Sequence, residues 1–148
     1  MKKIVIIGAN DFQNQLILKA KEMGFETHVF AWKDGSTGER TADYFYPIDV
    51  VKTDQILKVC REIRPDAVAS IASDLTNIAV SKVASALGLP CNSPECIRIS
   101  TNKYAMREAF TKAGIATPRF YRVDRMEAYL YGLRLPVIVK PTDRSGSR

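Results

Sequence analysis

The sequence predicts an α/β fold, a parallel sheet with helices on both faces, and three observations carry that expectation. The run Lys3–Ile7 is apolar almost throughout, as in a strand buried on both sides. It ends at Gly8, a residue suited to a tight strand-to-helix turn. Apolar runs then alternate with helical patterns through the first half of the chain, which means βαβ units and a Rossmann-like sheet.

The elements follow in order. After the first strand, Phe12, Leu16, Ala20 and Met23 recur at helical spacing, and Gly24 stops that helix. Residues 27–32 form a second strand. Residues 33–38 (Lys-Asp-Gly-Ser-Thr-Gly) read as a polar turn. Residues 44–48 suit a short strand. Thr53 or Asp54 then caps a helix with Ile56, Leu57, Cys60 and Ile63 on one face, ending before Pro65. Residues 66–71 are another strand. Leu75, Ile78, Ala79, Val83 and Leu87 mark a further helix closed by Gly88. Ser93 before Pro94 opens a short helix, and Thr101 can cap another over 102–113, with Met106, Phe110 and Ala113 inward. Residues 120–123 suit a short strand, 126–131 a helix, and 135–140 an apolar strand that ends on Lys140. Ligands of such sheets lie beyond the carboxyl ends of the strands. That edge should carry Gly8-Ala9-Asn10-Asp11, the segment after Ala31, and residues 70–76.

Composition bounds the function. The chain has 148 residues, 46% apolar and 26% charged, which suits one globular domain and excludes a collagen-like rod or a disulfide mini-protein. No stretch approaches the roughly 20 apolar residues that span a bilayer. Lys2 and Lys3 precede an apolar run too short for a signal peptide, so a cytoplasmic protein is expected. Net charge is +6, and the last thirty residues hold seven basic side chains against three acidic ones. A positive field of that kind suits a nucleotide phosphate or a nucleic acid, or is simply a solvated surface. Cys60, Cys91 and Cys96 lack metal-ligand spacing and read as reduced thiols. The single histidine, His28, lies in a strand and reads as structural.

Three segments bear on chemistry. In the first turn, only Gly8 of a G-x-G-x-x-G pattern is present; Asn10 and Gln13 stand at the second and third glycine positions, which disfavours NAD there. The second segment runs Asn102-Lys103-Tyr104-Ala105-Met106-Arg107 and closes on Ala113-Gly114-Ile115-Ala116-Thr117-Pro118. The third is Pro136-Val137-Ile138-Val139-Lys140-Pro141, followed by Ser145-Gly146-Ser147. A lysine at a strand end before a small-residue loop suits phosphate, since backbone N–H groups can cradle its oxygens.

Together and in this order the segments resemble the ATP-grasp ligases, nearest to the carbamoyl-phosphate-synthase-like and biotin-carboxylase-like members. The resemblance implies an ATP-dependent carboxylate–amine (or related) ligase that works through an acyl phosphate. It implies three parts: a Rossmann-like domain over 1–92, linker helices over 93–114, and the start of the ATP-grasp subdomain over 115–148. Lys103, Lys140, Ser145, Gly146 and Ser147 would contact ATP. Gly8, Asn10 and Asp74 would face a small carboxylate substrate, though Asp74 also suits a helix cap. The family's magnesium ligands would lie beyond Arg148, so the chain is expected to be the N-terminal portion of a longer ligase, inactive alone. An unpaired strand over 137–139 would offer an edge to another copy of the chain. Two alternatives stand beside this: a stand-alone Rossmann-type nucleotide-binding module, and a non-enzymatic nucleic-acid-binding protein using Phe120, Tyr121, Tyr129 and Tyr131 among the basic residues.

Overall fold

The structure is a computed structural model that describes residues 1–124 and 135–143. The helix expected over 126–131, and Ser145, Gly146 and Ser147, lie outside the described residues. The chain divides into two compact units, Met1–Pro94 and Glu95–Arg148.

The first unit holds β1 (Lys3–Ile7), α1 (Asp11–Glu22), β2 (Glu26–Phe30), α2 (Thr37–Thr41), β3 (Tyr44–Tyr46), α3 (Thr53–Ile63), β4 (Ala67–Ala69) and α4 (Asp74–Ala86). The strands form one parallel sheet in the order β3-β2-β1-β4. Ile7 pairs with Phe30, and Ile6 with Ala69, so β1, β2 and β4 end together. The alternation of β1 explains both layers. Ile4 and Ile6 pack with Ile17 and Ala20 of α1. Val5 and Ile7 pack with Ile56, Cys60 and Ile63 of α3 and with Ala79 and Val83 of α4. The sheet is thus covered on both faces, as the uninterrupted apolar run requires. The crossover direction reverses between β1 and β4, which is the topological switch point.

Several elements differ from expectation, each for a local reason. Of the expected stripe, Ala20 is buried and Leu16 packs against the core, but Phe12 and Met23 are exposed, and Gln13, Asn14 and Ile17 join the buried face. Asn10 sets this phase: its side chain accepts from the N–H groups of Phe12 and Gln13, starting the helix at Asp11. The expected turn over 33–38 runs into α2, where Gly38 is buried. Helix α3 begins at Thr53 after Lys52, without a side-chain cap. Ser73, not Asp74, caps α4, accepting from the N–H of Thr76. Leu75 faces out, and Thr76 takes the inward position.

In the second unit, α5 spans Pro94–Thr101 and α6 spans Lys103–Lys112. Asn102, rather than Thr101, caps α6 by accepting from the N–H of Ala105. Thr101 instead donates its hydroxyl to the Ile97 carbonyl one turn back. Ala105 is the buried residue of α6, and Ala113 is exposed. Neither 120–123 nor 135–140 forms a strand. A strand needs a partner, and among the described residues no strand pairs with these runs. Leu135, Ile138 and Val139 are exposed, and 137–139 pair with no strand among the described residues.

Candidate functional site

Two places bear the residues singled out from the sequence, one in each unit. The first is the carboxyl edge of the sheet. Gly8 sits at φ 104°, a left-handed conformation that favours glycine, and its N–H donates to the Phe30 carbonyl at 2.8 Å. Asn10 is the cap of α1. Across the switch point, Ser70 donates its hydroxyl to the Ile7 carbonyl at 2.6 Å. Gln13 Nε2 donates to the Ile71 carbonyl at 2.7 Å. Gln13 is buried and its Oε1 has no partner. The next residue, Ala72, holds φ 58°, an uncommon conformation for a side chain with a Cβ. Asp74 opens α4 at this edge.

Gln13 and Ser70 thus tie the first turn to the loop after β4. Sequence reasoning names Ser70 only as part of the edge segment 70–76 and does not single out Gln13 as a site residue. The only signal at Gln13 is its place where a glycine pattern would have its third member. A Cβ on Gly8 would come within 3.0 Å of the Gln13 side chain, so the glutamine covers the turn that a dinucleotide would need bare. The loop after β2 closes in from the other side. Gly38 donates to the Ala9 carbonyl at 2.9 Å, and Thr37 donates to Asp11 Oδ1 at 2.7 Å.

The second place lies in the second unit. The backbone N–H of Lys103, at the start of α6, donates to the carbonyl of Thr142 at 2.7 Å. This bond brings the α6 N-terminus to the segment that carries Lys140, two residues before Thr142. Lys140 is exposed. The turn that ends α6 is braced by Arg107, whose Nη1 donates to Thr117 Oγ1 at 2.9 Å. Tyr104 meets Phe120 edge-on at 5.5 Å, so Phe120 packs in part within its own unit. Tyr121 is exposed, and Tyr129 and Tyr131 lie outside the described residues.

Charge divides sharply between the units. The first holds eleven basic and eleven acidic residues, so the whole net charge of +6 belongs to the second. Among the described residues no group of His, Cys, Asp or Glu could hold a metal ion. No described helix is long and apolar enough to cross a membrane. Cys60 is buried in the sheet core, and burial pushes its thiol up to about 12. His28 is likewise structural: one ring nitrogen meets Glu26 Oε1 at 2.8 Å and the other the Tyr46 hydroxyl at 3.0 Å.

A doubly wound parallel sheet in one unit and a lysine-bearing helix start in the other define an α/β protein with two candidate ligand-facing places. No family model matches the sequence. The chain is 23% identical over 152 residues to a formate-dependent phosphoribosylglycinamide formyltransferase of Prochlorococcus marinus, covering 99% of this chain and 39% of that protein. Among solved structures, a phosphoribosylglycinamide synthetase from Anaerococcus prevotii matches at TM-score 0.73 and 28% identity over 96% of this chain and 37% of the other. An L-amino acid ligase from Bacillus licheniformis matches at TM-score 0.83 over 97% of this chain and 38% of the other, at 22% identity, which speaks for the fold. These relatives are ATP-grasp ligases, and this chain corresponds to their N-terminal part. It spans less than two fifths of the length of the curated relatives it matches.

Proposed function

We propose that the chain is the nucleotide- and substrate-facing N-terminal portion of an ATP-dependent ligase that activates a small carboxylate as an acyl phosphate. The single observation that carries this is the bond from the Lys103 N–H to the Thr142 carbonyl. It joins the two segments whose lysines the ATP-grasp resemblance assigns to the phosphates, in the unit that holds all the net positive charge.

Lys103 and Lys140 would each offer an ammonium to the polyphosphate. Two such charges offset the phosphates' repulsion and stabilise charge that develops as the phosphoryl group leaves. ATP supplies that phosphoryl group when bound. Ser145, Gly146 and Ser147 follow Lys140 closely and suit a backbone cradle. The described residues do not fit a magnesium site, so this reading assigns the metal ligands to residues outside them. At the sheet edge, Gly8, Asn10 and Asp74 would border the carboxylate substrate. Asn10 already bonds the α1 N–H groups, so its role there is to shape the turn. In this reading the parts are 1–92, 93–114 and 115–148, and the enzyme works in the cytoplasm.

The test is calorimetric titration of ATP into the full-length protein. Lys103→Ala and Lys140→Ala should each weaken ATP binding by roughly 10- to 100-fold, the scale of a charge-assisted hydrogen bond. A wild-type protein that binds no ATP, or two variants that bind it as tightly as wild type, would overturn the reading.

A further inference from the structure

We propose that His28 is a proton-operated joint between β2 and the edge strand β3, and that its second proton loosens β3. Strand β3 pairs with β2 over three residues, and no strand lies on its other side among the described residues. His28 is 4% exposed and stands opposite Tyr44 in that pairing. Its ring lies flat on the Tyr44 ring at 4.7 Å, and its Nδ1 meets the Tyr46 hydroxyl at 3.0 Å. Its Nε2 meets Glu26 Oε1 at 2.8 Å. Tyr46 carries more than this bond. Its carbonyl accepts from the N–H of Ala31 at 3.3 Å and of Ile48 at 2.7 Å. Those residues lead into the segments after β2 and β3, so a looser Tyr46 is felt at the carboxyl edge of the sheet.

The two partners fix where the protons sit. A carboxylate only accepts, so Nε2 carries the hydrogen of the neutral ring. Nδ1 is then an acceptor, and the Tyr46 hydroxyl donates to it. Burial, and then Tyr44, Cys60, Glu26 and Glu62, hold the Tyr46 phenol above its ordinary value, so it keeps the hydrogen it donates. A second proton can enter the ring only at Nδ1. That sets an N–H against an O–H, and the bond between the strands must reverse. The Tyr46 hydrogen then loses its acceptor. The charged ring is drawn instead to Glu26 on its own strand, a carboxylate that Lys3 of β1 approaches to 3.8 Å. The groups around the Tyr46 phenol do not replace the lost acceptor. Tyr44 lies flat on the imidazole, Cys60 of α3 is a buried thiol that keeps its own proton, and Glu62 of α3 is exposed and acts as a charge alone.

His28 is the chain's one histidine, so its ring nitrogens give unambiguous magnetic-resonance signals in the isotope-labelled 148-residue chain. Ring spectra and amide exchange are followed together from about pH 8 to about pH 5, where histidine ordinarily gains its charge. The Ala31 N–H reports the tie to β3, and the Gly8 N–H, bonded to the Phe30 carbonyl, is the control at the end of β1. At the upper pH the ring hydrogen should sit on Nε2. As the ring takes its second proton, the protection factor of Ala31 should fall about tenfold and that of Gly8 should hold. Tyr46→Phe removes the hydroxyl and keeps a ring to stack on Phe30. In that variant His28 should still titrate while Ala31 no longer responds. Four results would overturn the inference: a hydrogen on Nδ1 at the upper pH, a ring that takes no second proton in this range, an Ala31 that ignores the ring or falls together with Gly8, or a fall that persists in Tyr46→Phe. Neither ATP nor a carboxylate substrate enters the titration, so its failure is distinguishable from a failure of the full-length protein to bind ATP.

Discussion

Asp43 is the residue whose charge the first unit uses most plainly. Its Oδ1 meets Lys21 Nζ at 2.7 Å, and its Oδ2 accepts from both the backbone N–H and the hydroxyl of Thr27. The Lys21 hydrogen bond is the main reason its carboxyl falls from 3.8 to about 2. As pH drops, the unfolded chain therefore takes up this proton first. The stabilisation is complete above about pH 4 and is lost as the pH falls through about 2. Lys21 and Asp43 are both partly exposed, so solvent screening reduces the effect to about 1 kcal/mol. Asp43→Asn should lower the unfolding free energy measured in urea at neutral pH by that amount, and the gap from wild type should close near pH 2. A deficit that persists unchanged at acid pH would assign the loss to packing instead. Gly38 gives a steric counterpart. A Cβ there would lie 2.6 Å from the Ala9 carbonyl oxygen and 2.8 Å from Ile17 Cδ1. Backbone cannot step aside as a side-chain end can, so Gly38→Ala should cost about 2 kcal/mol in urea unfolding. A neutral result would mean that α2 lifts away without loss.

At the scale of elements, α6 depends on its start. Asn102 accepts from the Ala105 N–H at 2.9 Å, and the next residue's N–H is the one that reaches Thr142. Asn102→Ala should cost about 1 kcal/mol by thermal melting of the chain, and should also speed amide exchange at Lys103, because both bonds hang on one helix start. Exchange at Lys103 that is unaffected would separate the cap from the Thr142 contact. The elements also show what a sequence can disclose. Strand β1 was legible to its last residue, because five consecutive residues bounded by Gly8 leave little else for a central parallel strand. The phase of α1 was not. Phe12 and Met23 fit an apolar stripe, yet the Asn10 cap turns Gln13 to the sheet and leaves Phe12 in water. Periodicity weighs hydrophobicity and is blind to where a cap begins the count. Residues 135–140 mislead in the same way: an apolar β-branched run states a propensity, and pairing comes from residues elsewhere. Of the candidate site, the glycine turn could be read from its place after β1, whereas the roles given to Lys103 and Lys140 rest on the resemblance to the ATP-grasp ligases. The tie of Gln13 to Ile71 spans residues far apart in sequence, and no local pattern announces it.

At the scale of the whole molecule, the two units differ in charge and in core. The positive charge lies in the second unit, with Lys103 and Lys140, and the first unit is neutral. The first unit's cohesion is internal. All four strands pair within it, and both sides of its sheet are packed by its own helices, down to Leu87 and Leu89 behind α4. A domain of this length buries enough surface to fold without staples. Residues 1–94 made as a separate chain should therefore unfold cooperatively, with near-ultraviolet dichroism from the stacked His28, Tyr44 and Tyr46 rings. The amides of β1 should exchange as slowly as in the 148-residue chain, since their partners on β2 and β4 are all retained. Fast exchange in β1, or loss of the aromatic dichroism, would mean that the sheet needs support from residues after Pro94. Retention of both would allow the His28 joint and the lysine pair to be tested on separate molecules.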